Sequence, residues 1–153
     1  MARSDIGARL PESPSLFLEL KLPHIWIETS SNIAAEPEVL ALKDCVYQAA
    51  LATGIFPLGG IRVRFQAIDD YIVGDGHPDN SFVHVVLRIG VGRDADTKRK
   101  SAEAVFAKIC DLLAPLQQRR PLAVAFELQE MHPELNFKFN NLHEHIKRRQ
   151  ESN

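Results

Sequence analysis

No stretch of this 153-residue sequence approaches the ~20 consecutive apolar residues that cross a bilayer as a helix. Cysteine is scarce: Cys45 and Cys110 are the whole complement. Both fall in apolar helical patterns, so reduced, buried thiols are expected rather than a disulfide framework. An excess of one charge sign is also missing. The net charge is −2 and the pI is near 6.3, which excludes a general binder of nucleic acid or of an anionic membrane surface. The common local catalytic signatures are absent: there is no Walker loop, no G-x-S-x-G and no H-E-x-x-H. His143 and His145 in "HEH" have the wrong spacing for two ligands on one helical face. "GVG" at 90–92 lacks the rest of a dinucleotide fingerprint and reads as a turn. No metal and no cofactor are expected. The "LFLEL" run near the N-terminus is short, is broken by Glu19 and is followed by no small-residue cleavage site, so it is not a signal peptide. The cytoplasm is the expected compartment.

The composition is that of one globular domain, 45% hydrophobic and 25% charged. Residues 1–22 carry no sustained period and read as a disordered leader. The pattern starts at Pro23. "HIWIE" alternates, with Ile25 and Ile27 on one face and His24, Trp26 and Glu28 on the other, which predicts a strand. A helix is predicted over about 36–52, with Pro37 in its first turn and Val39, Leu42, Val46 and Ala49 at helical spacing. Gly54 suits a left-handed C-terminal cap, and Pro57, Gly59 and Gly60 make a loop. A strand follows from Ile61, with Val63 and Phe65 opposed to Arg62 and Arg64.

After the "GDGHPDN" turn, "SFVHVVLRIG" reads as a strand apolar on nearly every position. A second long helix is predicted over about 96–118, with Ala102, Val105, Phe106, Ile109, Leu112 and Leu113 as its stripe. "LAVAFELQEM" is a further strand, and "LNFKFNNLHEHIKRR" a short amphipathic segment. The order is β-α-β twice. An α+β domain follows, with one mixed four-stranded sheet and two helices on one face. Its other face, apolar on both sides of residues 82–89 and 122–128, calls for self-association.

Among residues able to carry chemistry, Arg62 and Arg93 lie where the chain enters or leaves the sheet, a common place for ligand contacts. A guanidinium holds a carboxylate in bidentate fashion, but a solvated or structurally paired arginine gives the same pattern. His84, inside an apolar strand, reads as a core or interface histidine before a general base. Glu127 and Glu130 do not form a carboxylate pair by spacing. His132-Pro133 reads as a strand-ending turn. Patterns alone thus support an oligomeric α+β domain.

Four segments go further: "PHIWIETSSNI", "ATGIFPLGGIRVR", "GDGHPDNSFVHVVLRIGVGR" and "FELQEMHPELNFKFNNLH". In order and spacing they resemble the 5-carboxymethyl-2-hydroxymuconate isomerase family of the tautomerase superfamily, from Pro23 to about Lys147. Residues 148–153 are left as a polar tail. The resemblance implies a homotrimer of β-α-β-β-α-β subunits acting on a small di- or tricarboxylate in homoprotocatechuate breakdown. It implies an N-terminal proline as catalytic base, matched here by Pro23, and carboxylate-binding arginines, matched by Arg62 and Arg93. A free α-amine titrates near ~8 and is pushed lower by an apolar pocket and nearby cations, which suits proton transfer near neutral pH.

Pro23 is internal in this sequence, and its nitrogen is then an amide without basicity. The leader is therefore read as a mis-assigned start. Leu22 directly precedes Pro23, and a TTG or CTG codon there can initiate as methionine, whose removal frees the amine. Leu18-Glu19 can be encoded with the ribosome-binding sequence GGAG. Proteolytic trimming after Leu22 is the alternative route. Two other readings stay open: a tautomerase-like binding protein without catalysis, and a related proline-dependent hydratase or dehalogenase.

Overall fold

The computed structural model describes residues 22–153; the leader call, apart from Leu22 itself, lies outside the described residues. β1 (His24–Ser30), β2 (Arg62–Ile68), β3 (Ser81–Ile89) and β4 (Leu122–Glu130) form one sheet in the order β2-β1-β3-β4. β1 is parallel to β2 and antiparallel to β3, and β3 is parallel to β4. The mixed four-stranded sheet and the β-α-β repeat are those read from the sequence.

The first crossover holds two helical pieces, α1 (Pro37–Leu40) and α2 (Leu42–Ala52), where one helix over 36–52 was predicted. Pro37 starts α1, where its fixed φ fits and its missing N–H is not needed. Gly54 ends α2 with φ +71°, a conformation that costs a glycine little. The second crossover is α3 (Ala95–Arg119), whose N-cap Asp94 accepts from the Thr97 N–H at 2.8 Å. After β4 an irregular segment leads to α4 (Leu142–Glu151), which buries no residue.

The core lies between the sheet and α1–α3. Ile25 and Ile27 of β1 and Val83, Val85, Leu87 and Ile89 of β3 meet Val39, Leu42 and Val46, and Val105, Ile109, Leu113 and Leu116 of α3. Burying each such side chain fully contributes roughly 1.5–3 kcal/mol. Phe106, read as part of the α3 stripe, sits at its edge and is partly exposed, stacking on Phe126 at 6.1 Å between centroids.

Two expectations are corrected. Both cysteines are free: Cys110 is exposed on the outer side of α3, and Cys45 is only half-buried on α2, its thiol donating to the Lys108 carbonyl of α3 at 3.6 Å. The second sheet face is not apolar throughout. β3 turns Phe82 and Val86 outward together with His84 and Arg88, and β4 turns Ala123 and Ala125 outward together with Glu127 and Gln129. The alternation was hidden because small and apolar residues interleave with the polar ones.

Ile109 of α3 is fully buried in the core. Ile109→Ala is expected to lower unfolding free energy by about 2–5 kcal/mol, read as a reduced urea midpoint at unchanged slope.

Candidate active site

Sheet pairing assembles the site. His24 at the start of β1 pairs with Arg62 at the start of β2 and with Arg88 near the end of β3. The N-termini of β1 and β2 and the C-termini of β3 and β4 therefore share one edge of the sheet. Pro23 is buried there, and its carbonyl accepts from the Arg62 N–H at 3.1 Å. The Arg62 guanidinium donates through Nη1 to the Gly60 carbonyl at 2.8 Å. Arg93 follows β3 after a turn at Gly92, whose φ of +106° favours glycine. Its Nη2 donates to the Ile55 carbonyl at 2.9 Å and its Nη1 to the Gly90 carbonyl at 3.2 Å, with the guanidinium 5.1 Å from the centre of the Phe56 ring. Burial draws the Arg93 pKa below its ordinary value, and the Glu130 carboxylate acts the other way; an arginine stays charged all the same. The sequence thus puts Pro23, Arg62 and Arg93 at one sheet edge although they are far apart along the chain.

This edge is strongly cationic. His24 has its pKa lowered to about 4, by burial first and then by the charges of Arg64, Arg62, Lys138 and Arg88. Arg64 Nη2 lies 3.1 Å from His24 Nδ1. A guanidinium only donates, so Nδ1 is the acceptor and the ring is neutral. Trp26 stacks on His24 and lies beneath both Arg64, at 4.7 Å, and Arg88, at 5.6 Å. A groove of about 530 Å³ opens beside them, lined in part by His24, Trp26, Arg64, Arg88 and Glu130. Glu130 is held by Lys98 Nζ at 2.6 Å. Such an edge attracts a small polyanion and disfavours protonation of any amine placed in it.

Other candidates fall elsewhere. His84 sits mid-strand on the open face, in register with Glu28, and Glu127 shares that face. His132 Nδ1 accepts from the Glu134 and Leu135 N–H groups, at 3.1 and 2.8 Å, and so closes the turn read from the sequence. No cluster of three metal-ligating side chains occurs among the described residues. Two close approaches were not anticipated. A Cβ on Gly59 would lie 2.6 Å from His143 Nδ1, and a Cβ on Gly60 2.5 Å from Leu22 Cδ2. The Gly59-Gly60 doublet just before Arg62 is the trace of both approaches in the sequence.

The profile of the family described as 5-carboxymethyl-2-hydroxymuconate isomerase matches residues 23–146. The chain belongs to this family. It is 42% identical over 122 residues to the 5-carboxymethyl-2-hydroxymuconate Delta-isomerase of Escherichia coli, covering 80% of this chain and 97% of the relative. A solved 5-carboxymethyl-2-hydroxymuconate isomerase from Deinococcus radiodurans R1 is 32% identical and superposes with a TM-score of 0.78 over 85% of this chain and 98% of its own. A fused 4-OT symmetric trimer, 18% identical with a TM-score of 0.58 over 76% of this chain and 93% of its own, shares the fold. The family match begins at Pro23, the first residue of the cationic edge.

Two outcomes check this geometry. His24 has a lower pKa folded than its ordinary 6.5, so the unfolded chain takes up the proton first. Stability is then lost as pH falls from about 6.5 towards 4 and is present in full above that window. Urea titrations should show this component in the unaltered protein and a flatter profile in His24→Gln. Gly59→Ala should destabilise by roughly 1–3 kcal/mol through overpacking, and His143→Ala in the same chain should relieve most of that loss, as a double-mutant cycle would measure.

Proposed function

We propose that this chain, in a form beginning at Pro23, is a cytoplasmic isomerase that ketonises 5-carboxymethyl-2-hydroxymuconate, or a close dienol carboxylate, in aromatic catabolism. The observation that carries the reading is the pairing of Pro23 with Arg62 at the end of the sheet from which β3 leads on to Arg93. The name of the Escherichia coli relative supplies the substrate class.

In this reading the secondary amine of Pro23 is the base. The dienol O–H bond breaks and its proton passes to the amine. The electron pair shifts through the conjugated system, and the ammonium returns the proton to the distal carbon. The enol becomes a ketone, one double bond moves, and no oxidant or cofactor is consumed. One group can do both steps because the amine is near neutral in basicity. An α-amine titrates near ~8 in water; the burial and the cations that depress the neighbouring His24 act on it in the same direction. Arg62 and Arg93 take two carboxylates and stabilise the charge that develops on the dienolate.

The form that begins at Pro23 arises by initiation at codon 22 followed by methionine removal, or by trimming after Leu22. The rest of the domain is 23–147, with 148–153 as a polar tail. The working assembly is a homotrimer in which the open sheet faces meet. The aromatic and apolar residues on that face, Trp26, Phe82 and Val86, and the exposed Phe137 and Phe139 support an association surface.

Intact mass of the protein expressed from its native gene should give a chain starting at Pro23. In that form, Pro23→Ala should lower kcat for ketonisation by about 10²–10⁴-fold. Arg62→Gln and Arg93→Gln should each lower kcat/KM. A chain that retains Met1 yet ketonises the dienol at the same rate would remove proline from the mechanism.

A further inference from the structure

Leu22 is the residue whose carbonyl carbon is bonded to the Pro23 nitrogen, and it is not at the surface. Only 2% of it is exposed. Its Cδ2 would lie 2.5 Å, and its Cα 3.2 Å, from a Cβ on Gly60; Pro57 Cγ would lie at 3.2 Å. The leucine therefore fits only because residue 60 has no side chain. Its seat is apolar, walled by Gly60 and Pro57, and adjoins the Gly60 carbonyl that the Arg62 guanidinium holds.

We propose that Leu22 plugs the substrate's seat: while it is attached, its isobutyl group fills the volume in which the hydrocarbon chain of an unsaturated dicarboxylate lies once residue 22 is gone. This rests on the proline reading above and adds a second, steric block to the chemical one. The loss of Leu22 would free the amine and open the pocket together.

Two features keep the emptied seat from collapsing. The far side of the loop is wedged by His143 against Gly59. The near side is tied by Arg62 Nη1 to the Gly60 carbonyl, by the Arg62 N–H to the Pro23 carbonyl at 3.1 Å, and by the Gly60 N–H to the Pro57 carbonyl at 2.9 Å. A wall held on both sides cannot relax into the void, so an open apolar cavity remains, and an apolar ligand segment gains by filling it. The carboxylates at the ligand's ends then reach the cationic edge.

The test compares three proteins: the full chain, the full chain with Leu22→Gly, and the chain beginning at Pro23. The last holds every element described, and the solved relative matched over 98% of its own length folds on 85% of this chain. The probe is cis,cis-muconate, a diene dicarboxylate that lacks the 2-hydroxyl and cannot ketonise, titrated calorimetrically. Leu22→Gly should bind it about tenfold or more tighter than the unaltered full chain, the order expected when no buried leucine must be expelled. It should gain no turnover, because its Pro23 remains an amide. Leu22→Met, which refills the seat, should bind as weakly as the full chain. Leu22→Ala gives a smaller opening if the glycine variant does not fold.

The proposal is overturned if the Pro23 form binds muconate while Leu22→Gly, or Leu22→Ala in its place, binds no better than the full chain. It is equally overturned if the Pro23 form does not bind. If the Pro23 form and Leu22→Gly both bind but the former does not ketonise the dienol, the plug stands and the isomerase reading falls.

Discussion

The pairing of β1 with two neighbours of opposite sense governs everything at the cationic edge. Parallel to β2 and antiparallel to β3, β1 brings its own start beside the start of one strand and the end of another. The carbonyl of Pro23, just before β1, therefore accepts from the N–H of the arginine that opens β2, at the end of the sheet where β3 runs on towards Arg93. Neither arginine is near Pro23 in sequence, and no short loop could bring them together. The two β-α-β crossovers keep the helices on one face and leave the other open. The same hydrogen-bond ladder that builds the core thus sets Pro23 beside Arg62.

The edge is also an electrostatic device. Burial first, and then the cations crowded around it, lower the His24 pKa to about 4, and the nearby carboxylate of Glu130 is already engaged by Lys98. Positive charge is left in excess. Such an excess draws in anions. The fold and the family membership are secure on the match over residues 23–146. The roles of Pro23, Arg62 and Arg93 belong to the proposed mechanism.

Much of the fold is legible in the sequence because burial there is periodic. The alternation of "HIWIE", the helical spacing from Val39 to Ala49, and Gly54 as a left-handed cap all recur in the structure. The split of the first helix at Ala41 left no local mark. The open face was misread because Ala123, Ala125, Phe82 and Val86 mask Glu127, Gln129, His84 and Arg88. Pro23, Arg62 and Arg93 are singled out through family resemblance alone, and the pairing of Pro23 with Arg62 depends on strand register. The contacts of Leu22 with Gly60 and of His143 with Gly59 join distant segments, and their only trace in the sequence is a pair of glycines.

Trp26 is the single tryptophan of the chain, and it lies on the open sheet face beneath two guanidinium groups. An indole flanked by cations and facing water emits differently from one covered by a second protein surface. The protein therefore carries a built-in optical reporter at the centre of the face through which subunits would meet. Its emission reads the covering of that face directly, with no label attached and no background from another tryptophan.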